Sequence, residues 1–148
     1  MAKELTRAEF RFPPDTHLVL GVVAAAEHFA QRIHLDDPAT QELMRAAQDA
    51  CQTTFKLISE ENAVLGVVIE EFADRVEITL EHQGEALPTA GLDTFLDAVV
   101  EGAASDELSG AMLMTLVDRV QYQTEAGTQR MKLTKNAPAA SEALNQQN

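Results

Sequence analysis

Side chains able to do acid–base, nucleophilic or metal chemistry are few and widely spaced in this chain of 148 residues. The four histidines are too scattered for a metal site, and no spacing indicates a Ser-His-Asp or Cys-His set. The single cysteine, Cys51, excludes a disulfide or a cysteine-based zinc site within the chain. Asp49 and Thr53 lie four residues apart, which places them on one helix face. That pair fits a solvated helix face as well as a functional site.

The charge balance narrows the classes of partner. The chain carries 24 acidic and 11 basic residues, for a formal net charge of −13. A generic nucleic-acid binder is excluded because neutralising phosphates requires clustered Lys and Arg, and an anionic membrane surface is disfavoured for the same reason. No apolar run reaches the roughly 18–20 residues of a membrane span, and the start of the chain is too polar for a signal peptide. We therefore expect a cytoplasmic protein with neither a nucleic-acid nor a membrane partner.

Hydrophobic periodicity predicts one α+β domain over 1–135. Four helices on one face of a mostly antiparallel mixed sheet would form a two-layer sandwich. The tail at 136–148 has no core-forming residues and is predicted to be disordered. The predicted elements, in chain order, are a strand at 9–12, a helix capped by Asp15 or Thr16 that reaches about 34, a helix from 36–38 to about 58, strands at 65–71 and 75–81, a helix at 92–100, a helix after 105–107, and two strands that contain Val120 with Tyr122 and Met131 with Leu133.

The order of these elements resembles a known family over about 10–135. The most telling residues are Leu-Val-Asp-Arg-Val at 116–120, the Gly-Thr turn at 127–128 and Met-Lys-Leu-Thr-Lys at 131–135. Ala50 and Cys51 are also similar to part of a Glu-Ala-Cys-Thr-Asn segment. Together they resemble the GHKL, histidine-kinase-like ATPase fold in its smallest bacterial form, the anti-sigma factor serine kinase. That family regulates sigma factors by partner switching, and its active members bind ATP and Mg²⁺.

The resemblance assigns site positions residue by residue. Where the family has a glutamate base and an Mg²⁺-binding asparagine, this sequence has Asp49 and Thr53. Where the family has the aspartate that receives the adenine amino group, followed two residues later by glycine, this sequence has His82 and Gly84. A threonine lacks the carbonyl oxygen of an asparagine, and a neutral imidazole lacks the charge that strengthens recognition of the amine.

The phosphate-binding position departs furthest from the family. There, a Gly-x-Gly loop at a helix N-terminus receives the triphosphate, whereas this sequence reads Asp-Glu-Leu-Ser-Gly at 106–110. Only Gly110 remains, in a different register. Like charges about 4–5 Å apart repel by roughly 3–4 kcal/mol at an effective dielectric near 20, so Asp106 and Glu107 would oppose ATP. Acidic residues in a first helical turn are also ordinary complements of the helix dipole.

The sequence thus favours a catalytically degenerate, pseudokinase-like signalling protein in transcription regulation, acting by protein–protein binding. Its vestigial site positions would be Asp49, Thr53, His82, Gly84 and Gly110, with no cofactor. The resemblance implies a sigma factor or a STAS-type anti-sigma antagonist as partner, and a homodimer. The alternative is an active serine/threonine kinase whose altered ATP·Mg²⁺ pocket uses Asp49 and Thr53. A third interpretation is a domain fused to, or co-expressed with, a phosphatase or response regulator.

The segment at 85–108 is the predicted contact surface for a basic partner. In nucleotide-binding relatives the matching segment is the mobile lid over ATP. Here it carries six acidic residues and no Lys or Arg. Its apolar residues fall on a helical stripe that ordinary core packing would also explain.

Overall fold

The computed structural model describes residues 5–58, 63–83 and 113–138. Of the helix predicted after 105–107, the described part is its end, where 113–116 are helical. The following predicted features lie outside the described residues: the helix at 92–100, the lid segment at 85–108, Gly84, Gly110, Asp106, Glu107 and the tail at 139–148.

The fold is α+β, as predicted, and is built on a five-stranded open sheet. Its strand order is β1-β2-β3-β5-β4, and every pairing is antiparallel. The expectation of a mixed sheet is therefore wrong for the described strands. In chain order the elements are β1 Thr6–Phe12, α1 Val19–Arg32, α2 Asp37–Leu57, β2 Leu65–Glu71, β3 Arg75–Gln83, β4 Arg119–Glu125 and β5 Thr128–Asn136.

One side of the sheet, called here the inner face, is covered by the helices. Helix α1 contacts β2 and helix α2 contacts β3. Alternate residues of these strands are fully buried there, whereas their neighbours on the outer face are partly exposed. Removing the apolar side chains from water is the main favourable term in this packing. The most completely buried strand residues are Leu65, Val67, Ile69, Val76, Ile78 and Leu80.

The two helices begin differently. Helix α2 starts as predicted, because Asp36 Oδ1 accepts a hydrogen bond from the Ala39 N–H at 2.8 Å. The prediction that Asp15 or Thr16 caps α1 was wrong. The residue before α1 is Leu18, which has no side-chain cap, and Asp15 instead accepts from the His17 N–H at 2.9 Å. The aspartate thus closes a local turn ahead of the helix.

Several predicted boundaries shift by a few residues. Strand β1 begins at Thr6, which pairs with Glu71 of β2, and not at Glu9. Strand β5 continues through Asn136, a residue that the sequence predicts to belong to the tail. The Asn136 N–H donates to Asp118 Oδ2 at 2.7 Å, a contact between residues 18 positions apart. Long-range pairing therefore lengthens both strands beyond their local pattern.

Candidate functional site

Asp49 and Thr53 lie in the second half of α2 and are both partly buried. Asp49 keeps 17% of its side chain exposed, and its Oδ2 lies 3.7 Å from Nε of Arg45, one turn earlier. Burial raises the pKa of the Asp49 carboxyl, and the nearby Arg45 charge lowers it by a smaller amount. The pair therefore presents a carboxylate with increased proton affinity beside a hydroxyl.

His82 is the eighth residue of β3 and lies on the inner face, in phase with Ile78 and Leu80. It is 8% exposed, and its neighbours across the sheet are Leu65 of β2 and Gln129 of β5. Burial lowers the pKa of the imidazole, although a backbone hydrogen bond with Gln83 acts in the opposite sense. His82 is therefore a neutral imidazole at neutral pH.

Gln129 is a second buried polar residue beside His82, and the sequence analysis did not identify it. It is 8% exposed, and its Oε1 accepts a hydrogen bond from Thr124 Oγ1 at 2.7 Å. The available signal was the alternation of Met131 and Leu133, which reaches Gln129 when extended by one step towards the turn. Leu65, His82, Gln129 and Thr124 thus form one row across four strands.

The row contains two polar atoms without a hydrogen-bond partner. Within the part of the chain that the structure describes, these are the only buried side-chain atoms of this kind: Nδ1 of His82 and Nε2 of Gln129. A buried polar atom without a partner costs about 1–3 kcal/mol. The inner face therefore carries two nitrogens without a hydrogen-bond partner. Nδ1 of His82 can accept or donate, depending on the tautomer, whereas Nε2 of Gln129 can only donate.

The structure places the predicted positions in two neighbouring elements. Helix α2, which carries Asp49 and Thr53, packs against β3, which carries His82. Asp49 is engaged by Arg45, whereas His82 is bordered by Leu65 and Gln129. Gly84 and Gly110 lie outside the described residues. The described predicted positions therefore contribute two polar groups on the helix and one on the sheet, beside which Gln129 adds a second.

Cys51 has no role in this chemistry. Its side chain is fully buried on α2, and burial raises the pKa of the thiol to about 12. A thiol of this kind supplies almost no thiolate near neutral pH and behaves as a small core residue. Within the described ranges, no group of three or more His, Cys, Asp and Glu residues could hold a metal ion.

Two buried charged residues connect elements of the fold. Lys135 of β5 donates from Nζ to the Leu116 carbonyl at 2.8 Å and also reaches Glu42 of α2 at 3.4 Å. Glu71 at the end of β2 is 3% exposed and pairs with Arg32 at the end of α1. Removing one partner of such a pair leaves a buried charge uncompensated. We therefore assign these pairs to stability and not to a ligand site.

A groove of about 210 Å³ lies near the ends of β1, β2 and β3. Arg7, Glu9, Arg11 and Glu81 line it, and His82 also borders it. Arg7 is paired with Glu9 across this surface. The mixture of both charge signs favours no single class of ligand.

Comparison with models of known protein families and with curated proteins finds no match for this chain. No helix among residues 5–58, 63–83 and 113–138 has the length and apolar character needed to cross a membrane. The function is therefore argued from the chemistry of the α2 pair and the β3–β5 row.

Proposed function

We propose that this chain is a catalytically degenerate regulatory protein of the GHKL, anti-sigma-kinase-like type, which acts by binding another protein in the bacterial cytoplasm. The order of the elements along the chain supports the proposal. Two helices separate β1 from the β2–β3 hairpin, and the antiparallel pair β4–β5 comes last. The sequence resemblance assigns the same order to that family. A fold hosts many functions, so the argument depends on the site.

The observation that carries the proposal is the state of His82. The resemblance places this residue where an aspartate would receive the adenine amino group, and here the position holds a buried neutral imidazole. A neutral acceptor forms a weaker hydrogen bond than a carboxylate does. Thr53, at the Mg²⁺-binding position, offers a hydroxyl in place of an amide oxygen. Both changes weaken the recognition of ATP·Mg²⁺.

The proposed partner is a sigma factor or a STAS-type anti-sigma antagonist. A net charge of −13 favours a partner with a basic face, because complementary charge steers the encounter. Sigma factors contact DNA and therefore present basic surfaces, which makes them the favoured class. No nucleotide chemistry is required for such binding.

The test uses the intact chain and a partner captured from native cells, then purified. We expect the dissociation constant of the complex to be the same with ATP·Mg²⁺, with ADP·Mg²⁺ and without nucleotide. Asp49→Asn should leave that constant unchanged, because Asp49 would have no catalytic role. Nucleotide-dependent binding, or phosphorylation of the partner that Asp49→Asn abolishes, would contradict the proposal.

The same experiment addresses the alternative, an active serine/threonine kinase with an altered pocket. One observation favours it: the raised pKa of Asp49 suits a general base, whose proton affinity is best placed near the working pH. Phosphorylated partner formed by the wild-type chain, but not by Asp49→Asn, would establish this activity.

A further inference from the structure

Strand β4 is the second edge of the described sheet, opposite β1. Among the described strands it pairs with β5 alone, and most of its residues are exposed. On an edge strand, the backbone groups that point away from the sheet have no strand partner and can pair with another chain. The segment Arg119–Glu125 contains neither proline nor glycine, so its backbone is suited to such pairing.

The two-residue turn that joins β4 to β5 fixes which backbone groups of β4 point away from β5. In such a hairpin the residues on either side of the turn bond to each other, here Glu125 with Thr128. Bonded and non-bonded pairs alternate along an antiparallel ladder. The N–H and C=O groups of Val120 and Thr124 therefore point away from β5.

The side chains of β4 complement those of a second β4 strand that runs antiparallel to it. The sequence Arg-Val-Gln-Tyr-Gln-Thr-Glu has a cation at one end and an anion at the other. Because a two-fold contact is symmetric, each opposite pair occurs twice. With the axis at Tyr122, the opposite pairs are Arg119 with Glu125, Val120 with Thr124, and Gln121 with Gln123.

The two charged ends of β4 are available for this contact. Arg119 is exposed and has no ion-pair partner within the described ranges. Glu125 lies 3.5 Å from Arg130 but keeps 69% of its side chain exposed, so its carboxylate can accept from a second cation. Each copy thus offers an unused cation and an accessible carboxylate at opposite ends of one strand.

The charge of the whole chain favours a second copy over a basic partner at this edge. Two chains of net charge −13 repel each other overall, whereas the one Arg and the one Glu of β4 cancel. A basic strand would suit Glu125 but would place like charges against Arg119. The edge therefore fits a neutral strand with both charge signs, which its own sequence supplies.

We propose that β4 pairs with β4 of a second copy of this chain, antiparallel and in the register centred on Tyr122, so that one sheet continues through both molecules. Strand β1 lies at the opposite edge and stays available to other strands. The inference does not rest on the proposed regulatory function, and its failure would leave the partner experiment unaffected.

Exchange of the two charges tests the register. Arg119→Glu and Glu125→Arg each replace two attractive pairs by two repulsive ones, so each should raise the dissociation constant of the contact about tenfold. The double variant restores opposite charges across the axis and should regain wild-type association. Light scattering of the intact chain, from micromolar to submillimolar protein, measures these constants. Strand β1 is the same in all four proteins, so association through it is common to them.

Lys56→Glu is the matched control, because it makes the same change of charge as Arg119→Glu at an exposed position on α2. It should leave the dissociation constant nearly unchanged. Equal masses for wild type and both single variants would overturn the proposal. So would a folded double variant that does not regain wild-type association.

Hydrogen exchange gives a second test that does not depend on the double variant. The amide protons of Val120 and Thr124 should exchange slowly at submillimolar protein, and faster on dilution or in Arg119→Glu. Those of Gln121 and Gln123, which bond to β5, should be slow throughout. Rapid exchange of Val120 and Thr124 at every concentration would overturn the proposal. Slow exchange that neither dilution nor Arg119→Glu alters would also overturn it, because the edge would then be covered within one chain.

Discussion

An imidazole that stays neutral in the folded state makes folding stability depend on pH, and His82 is such a group. Burial lowers its pKa below the usual 6.5, so the unfolded chain takes up a proton at a pH where the folded chain does not. The free energy of unfolding therefore falls as the pH drops from about 6.5 towards the folded-state pKa, and this contribution is fully present above 6.5.

His82→Leu should remove that part of the pH dependence, because leucine takes up no proton. We expect the wild-type chain to lose about 1 kcal/mol or less through His82 between about pH 7.5 and about pH 5.5. Urea unfolding of both proteins at the two pH values measures the difference. His17→Leu is the control, since the His17 side chain is 90% exposed. An equal loss in wild type and His82→Leu would contradict this account.

Buried residues were predicted correctly where apolar and polar residues alternate clearly along a strand. They were missed where burial depends on pairing with a distant strand. The alternation of Val76, Ile78 and Leu80 was recognised from the sequence, and its next member is His82. The predicted strand ended one residue earlier, so the burial of His82 was not foreseen. Gln129 is buried because β5 pairs with β3 along its whole length, a long-range property that a single glutamine does not signal.

Among the elements, the β4–β5 hairpin has a turn that requires a left-handed backbone conformation at both of its central residues. Its two turn residues both have positive φ, 49° at Ala126 and 82° at Gly127. This is the signature of a type I′ turn, which matches the twist of the flanking strands and favours Asn-Gly. Alanine is strained in this conformation because its Cβ crowds the following carbonyl oxygen.

Ala126→Asn should therefore stabilise the protein by about 0.5–1 kcal/mol, since asparagine tolerates the left-handed region better than alanine. The midpoint of urea unfolding should rise with an unchanged slope. Ala73→Asn is the matched control in the β2–β3 hairpin, where no positive φ occurs among the non-glycine residues. A midpoint that does not move, or that moves equally for both variants, would disprove the strain argument.

The start of a helix was predicted correctly where the local capping signal was unambiguous. Asp36 before Pro38 predicted the start of α2, and the cap is formed as expected. The start of α1 was misplaced because Asp15 and Thr16 both fit a cap in sequence, whereas Asp15 closes a turn with His17. Side chains that can cap a helix or close a turn are not distinguished by local pattern alone.

Charge is unevenly distributed over the whole molecule. More than half of the 11 basic residues lie on the outer face of the sheet, where several are paired: Glu81 with Arg130 at 3.3 Å and Glu77 with Arg75 at 3.6 Å. The outer face is therefore largely self-neutralised, and most of the excess negative charge belongs to the rest of the chain. The basic residues of this face are Arg7, Arg11, Arg75, Arg119, Arg130 and Lys132.

The sheet order also bears on assembly, because β1 is an edge of the described sheet. The edge has seven residues, Thr6–Phe12, and offers unpaired backbone groups to a second copy. We expect a homodimer joined through β1, with amide protons that point away from β2 protected from exchange. Light scattering and hydrogen exchange measure these properties. A mass near 16.1 kDa at tens of micromolar protein, the mass of one chain, would contradict dimerisation.

The central claim is that this chain regulates by binding protein and not by using ATP. Calorimetric titration of the intact chain with ATP·Mg²⁺ tests it most directly. We predict no heat beyond dilution and no change in melting temperature with millimolar nucleotide. A bound nucleotide at 100 times its dissociation constant would stabilise the fold by about 2.7 kcal/mol, which is easily measured. Saturable heat with a micromolar dissociation constant, and a melting temperature raised by several degrees, would contradict the claim.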